Sequence, residues 1–196
     1  MNVSAVLKWK KCCKYVYWQI FIIQMKRIFT LLIFLGCIGA ATAQSSDSLQ
    51  VQLARKWANS KTYTLKLADL MPEDKYDFRP TPEEMTFREQ LLHIADNMTW
   101  LSSSYLFAEG PAKRTTKEKL PKAEVLKILA QAYDLGLKAH GNVKERQLDE
   151  QVKFFAGPMS RRQVLILMHD HKTHHLGQLI VYLRLNGIKP PAYVGW

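Results

Sequence analysis

Four stretches of helical apolar periodicity, each with a recognisable start or stop, constrain this chain more than any other feature. The longest begins at Ser160-Arg-Arg-Gln163 and runs to Asn186. Its opening has capping-box spacing, in which the Ser hydroxyl and the Gln side chain each satisfy a backbone N–H of the first turn. Gly187 follows where a left-handed residue ends a helix, and Pro190-Pro191 block continuation. Thr86-Phe-Arg-Glu89 is a second capping box. It opens a segment to about Phe107 with the stripe Phe87, Leu91, Ile94, Met98, Leu101 and Tyr105. Pro121 opens a third segment through Val125, Leu129, Ala132, Leu135 and Ala139, closing at Gly141. Residues 47–70 form the remaining one, with Leu49, Leu53, Trp57, Leu65, Leu67 and Leu70 ahead of Pro72. Residues 73–84 and 142–159 are connections, the second briefly extended at 152–155. An amphipathic helix must bury its stripe against another element, so these segments predict an all-α fold, a four-helix bundle over residues 44–196.

The first 43 residues obey different rules. Lys26-Arg27 followed by the apolar run 28–38 and Ala41-Thr42-Ala43 has the order of a secretory signal peptide, over residues 25–43. The competing reading is an uncleaved membrane anchor. Cys37 after Leu35-Gly36 also suggests a lipoprotein signal, which ranks second because apolar and small residues continue to Ala43. Met25 has the character of a natural start, and residues 1–24 that of a spurious upstream extension. The chain's formal charge of +11 shrinks once this region is set aside, since it holds six basic groups and no acid. The remaining 22 basic and 17 acidic groups give a net of +5. All three cysteines, Cys12, Cys13 and Cys37, also fall here, so the mature chain has neither a disulfide framework nor a thiol nucleophile.

Four of the six histidines lie within seven residues: His169, His171, His174 and His175. His171 and His175 are four apart, a rotation of only about 40° and an advance of about 6 Å on a helix. Both rings then share the face of Val164, Met168, Leu179 and Tyr182, which points to the core. Neutral imidazoles there suit zinc, nickel or another late first-row metal. Ordinary hydrogen-bonded core histidines are an equal reading. His169 falls on the opposite side and His174 at the edge, towards solvent or outer groups. His93 is the best candidate for a third ligand. It lies beside the stripe of its helix, in line with Gln90, Asn97 and Trp100, and that line reads either as a polar pocket wall or as a solvated flank. His140, beside Gly141, reads as a helix C-terminal cap.

The run His171-Lys-Thr-His174-His175-Leu-Gly177-Gln178, with Tyr182-Leu-Arg184 and Gly187-Ile-Lys-Pro190-Pro191, resembles the closing signature of the DinB/YfiT-like proteins. Phe78-Arg79-Pro80 and Leu92-His93-Ile94-Ala95 match in order and spacing, so the resemblance covers about residues 47–192. It implies a four-helix bundle with a divalent metal, zinc or nickel, held by His93, His171 and His175. Leu176 departs from the pattern, which often has Arg there. The resemblance further implies metal-activated thiol transfer or hydrolysis on an unidentified small-molecule substrate, and a possible homodimer. A divalent metal supports such chemistry by lowering the pKa of a bound water or thiol.

Glu89 reads as a base or as an ordinary capping residue, the blander role. Gln178, Trp100 and Tyr182 read as site-lining or structural. A non-catalytic metal-binding or stress-associated protein is the alternative class, and export favours it, because cytosolic thiol cofactors are scarce outside the cell. No nucleic-acid partner is expected: the basic run Lys113-Arg114, Lys117, Lys119, Lys122 is interrupted by Glu118 and lacks interleaved aromatics. The export expectation is testable. Intact-mass measurement of the protein from its native host should give an N-terminus near Gln44; a retained Met1 or Met25 would refute it.

Overall fold

A computed structural model describes residues 48–110 and 119–194, together with residues 18, 22 and 24–26, which are helical. The chain divides into two units, Met1–Ser46 and Asp47–Trp196. The proposed signal-peptide core and cleavage site, and residues 111–118 of the basic loop, lie outside the described residues. No described helix is long and apolar enough to cross a membrane.

In the second unit, α1 spans Leu49–Leu70, α2 Phe87–Tyr105, α3 Lys122–Asn142 and α4 Arg161–Leu185. Each agrees with its sequence segment to within a few residues. Both expected capping boxes form: Thr86 with Glu89, and Ser160 with Gln163. The end of α4 closes as the sequence requires. Gly187 has φ +71°, Ile188 N donates to Leu183 O, and Gly187 N donates to Arg184 O, which satisfies carbonyls left over by the last turn. The extended stretch between α3 and α4 is a two-stranded antiparallel hairpin, β1 (Gln151–Val152) against β2 (Met159–Ser160).

Around the core the helices follow the order α1, α3, α2, α4, each packing on its two neighbours. α2 and α4 are therefore adjacent, whereas α3 and α4 face each other diagonally. The 72–86 connection folds back over the start of α2. Tyr76 O accepts from Arg88 N and Phe78 O from Phe87 N, so first-turn N–H groups that no helical carbonyl can reach are satisfied there. That arrangement holds the N-terminal half of α2, with Gln90 and His93, against α4.

Trp57 fixes the α1–α3 contact. It is fully buried, donates from Nε1 to Tyr133 O at 2.8 Å, and packs on the Tyr133 ring at 5.2 Å. Gly136 lets the indole approach α3. A methyl at that position would lie 2.7 Å from Cε2 and 2.9 Å from Nε1 of Trp57. Gly136→Ala should thus destabilise the fold by about 1–3 kcal/mol, the usual penalty for overpacking. Gly141→Ala, also on α3 but with nothing within 4 Å of the added carbon, should be neutral or stabilising by up to about 1 kcal/mol. Urea unfolding of the two variants checks both signs.

Candidate metal centre

His93 comes from α2, and His171 and His175 from consecutive turns of α4. Adjacency of these helices brings the rings together. One ligand nitrogen from each lies within 4.8 Å of the others. His93 Nε2 and His171 Nε2 are 3.1 Å apart, and the three ring centroids are separated by 4.5–4.9 Å. These are the three histidines that the resemblance implies as ligands, and His140 and His169 lie outside the cluster. His93 is the most solvent-facing of the three and His175 is buried. The pocket-wall reading of His93 is the one its position matches.

The two α4 rings of the cluster are held in the neutral form. Burial, then the neighbouring imidazoles, push His171 down to about 4; burial and His93 push His175 down to about 4. Deprotonated imidazole is the form that coordinates metal. Three borderline nitrogen donors, with no carboxylate among them, fit a late first-row divalent ion. The 3.1 Å between His93 Nε2 and His171 Nε2 is close to the spacing set by bonds of about 2.0–2.1 Å to a common zinc. The residues present could thus hold a metal.

Outer contacts differ among the ligands. His175 Nδ1 donates to Gln90 Oε1 at 2.6 Å and lies 3.1 Å from Gln178 Oε1. Gln90 is fully buried. His171 Nδ1 and Asn97 Oδ1 are buried polar atoms without a hydrogen-bond partner. His174 is exposed and sets its ring edge-on to His175 at 5.0 Å. Glu89 is occupied: its carboxylate accepts from Thr86 N at 2.8 Å and lies 3.8 Å from Arg79. Leu176 is buried, so no anion contact arises from that position.

Two sequence expectations need correction. His169 is buried rather than solvent-facing, and His140 is more than a helix cap. His140 donates from Nδ1 to Gly136 O at 2.7 Å, and its Nε2 meets His169 Nε2 at 3.1 Å across the α3–α4 diagonal. Trp57 covers both rings at 5.1–5.2 Å. Lys172 is buried beside them, pushed down to about 8 by burial and by Lys56. Sequence periodicity assigns α4 a single inward face. The core closes over two faces of α4, because α1 and α2 flank it on either side.

Four helices around one core, with three imidazoles converging between the second and fourth, define a histidine-bearing helical-bundle protein. The comparisons agree. The DinB family profile matches residues 43–195. The chain belongs to the DinB family. YjoA of Bacillus subtilis, an uncharacterized protein, is 28% identical over 144 residues, 69% of this chain and 90% of that one. The crystal structure of this DinB-like YjoA superposes with a TM-score of 0.61 at 20% identity, covering 72% of this chain and 96% of that one. A DinB-like protein from Bacillus cereus superposes with a TM-score of 0.63 at 20% identity, covering 72% and 95%. At these identities the superpositions establish the fold.

Burial of His171 and His175 in the neutral form predicts acid lability. A group whose folded pKa lies below the ordinary value of 6.5 stays neutral in the fold while the unfolded chain takes up a proton. His140 is lowered and His169 is pushed down to about 3, both chiefly by burial. Stability is then fully present above 6.5 and lost as pH falls towards 4. Urea midpoints of the chelator-treated protein should be lower at about pH 5 than at about pH 7.5. Equal midpoints would contradict the neutral, buried placement.

Proposed function

We propose that this DinB-family chain binds a divalent transition metal, zinc or nickel, through His93, His171 and His175, in an exported four-helix-bundle domain. The single observation that carries the reading is the convergence of three imidazole nitrogens within 4.8 Å at the α2–α4 seam. Such a cluster without a cation is a poor use of a core, since each buried ring must satisfy its polar atoms or lose solvation. Three protein ligands leave coordination positions for a water, a thiol or a substrate group, and a metal there would make a nucleophile available near neutral pH. His93, the solvent-facing ligand, marks the side from which a small molecule would enter. Thiol transfer or hydrolysis on such a molecule is the enzymatic form of the proposal. The export component rests on the order of residues 25–43.

One observation favours the non-catalytic alternative. Glu89, one turn before His93 on α2, is committed to its capping box and to Arg79. A base poised for substrate would have to be another residue, and His174, exposed and next to His175 in sequence, is one candidate. Elemental analysis of the full chain purified without added metal should find stoichiometric zinc or nickel. His171→Ala should lose it while retaining helical circular dichroism. Equal metal content in the two proteins would exclude the site.

A further inference from the structure

We infer that Gln90 is the positioning residue that selects which nitrogen of His175 faces the metal, through a relay of hydrogen bonds anchored on the backbone at the start of α2. The inference deepens the proposed function and rests on it for the identity of the ligand set.

The relay has a direction, and the direction is forced. Met85 O is a backbone carbonyl and can only accept. Tyr182 OH, 2.8 Å away, must therefore donate to it. With its proton spent, the phenol oxygen is left as an acceptor towards Gln90 Nε2 at 3.5 Å. That orients the amide: Nε2 towards Tyr182, Oε1 towards His175. An amide oxygen can only accept, so His175 Nδ1, at 2.6 Å, carries the proton. A neutral imidazole has one proton, which leaves the lone pair on Nε2, the side of the ring available to His93 and His171. A backbone carbonyl thus sets the tautomer of a ligand through two side chains.

The surroundings hold this relay in place. Gln90 is fully buried and Tyr182 nearly so. Phe78 packs edge-on against the Tyr182 ring at 5.9 Å, and the same residue's carbonyl accepts from Phe87 N. Met85 precedes the Thr86 cap, so the anchor is fixed by the capping box itself. His171 has no such device, since its Nδ1 is buried without a partner. Gln178 Oε1 also reaches His175 Nδ1, at 3.1 Å, but it lies on the same helix one turn away and is half-buried, so it supplements Gln90 rather than replacing it. Outer-shell acceptors of this kind typically alter metal affinity by about 10–100-fold when removed.

The test uses the full chain with two readouts. The first is the tautomer of His175 in the metal-free protein, read from the two ring-nitrogen chemical shifts in 15N NMR. The second is affinity for zinc and for nickel by chelator competition. Wild type should show the Nδ1–H tautomer. Gln90→Leu should mix the tautomers and weaken metal binding by about 10–100-fold. Gln90→Glu, which restores an acceptor, should return to within a few-fold of wild type. Gln178→Ala should weaken binding less than Gln90→Leu. Should Gln90→Leu not fold, Tyr182→Phe serves instead: it removes the anchor, leaves the amide, and should still mix the tautomers. A pure Nδ1–H tautomer in Gln90→Leu, or in Tyr182→Phe where that variant stands in, would overturn the inference, as would a larger loss in Gln178→Ala. If wild type bound no metal, the functional reading would fail, and the tautomer of the metal-free variants would still decide the role of Gln90.

Discussion

Everything proposed for this protein depends on burying two imidazoles of one helix against a third from its neighbour. Desolvation disfavours the charged ring, and each ring raises the cost of protonating the next. The result is a pair of neutral nitrogen donors on α4 at physiological pH, with His171 and His175 pushed down to about 4. Helix packing supplies the positions. The 72–86 connection holds the start of α2, the capping boxes fix where α2 and α4 begin, and adjacency of the two helices brings His93 level with the α4 pair.

A second histidine pair shows that proximity alone does not make a metal centre. His140 and His169 also place Nε2 atoms 3.1 Å apart, yet they sit beneath Trp57 with buried Lys172 alongside, and no third ligand joins them among the described residues. A neighbouring cation disfavours a bound metal, and a closed ceiling excludes the water or substrate that would complete its shell. This pair ties α3 to α4 through the core. The His93 cluster differs in having a third donor, a solvent-facing member and a directed hydrogen-bond relay behind one of its rings.

The helices were legible because their ends carry local chemistry. Thr86 with Glu89, Ser160 with Gln163, and Gly187 act within one turn of chain, so their spacing alone predicts the observed boundaries. The His171–His175 pair was legible for the same reason, being a property of one helix. His93 could be proposed, but its orientation depends on which helices are neighbours, and periodicity left it between a pocket wall and a solvated flank. The burial of His169 was not legible: it comes from α1 and α3 closing over a side of α4 that reads as polar. In the sequence, Gln90 stands out only as a member of the His93 line. Its role depends on Met85 O and the Tyr182 hydroxyl, contacts separated in sequence by as many as 97 residues. What sequence could have offered there is a Gln one turn before the candidate ligand, an outer-shell acceptor within reach.

The central claim is that His93, His171 and His175 share one ion. X-ray absorption spectroscopy of the zinc- or nickel-loaded full chain addresses it directly. Three imidazole nitrogens at about 2.0–2.1 Å, falling to two in His93→Ala, is the predicted result. A first shell with fewer than three imidazoles, or one that His93→Ala leaves unchanged, would contradict the account.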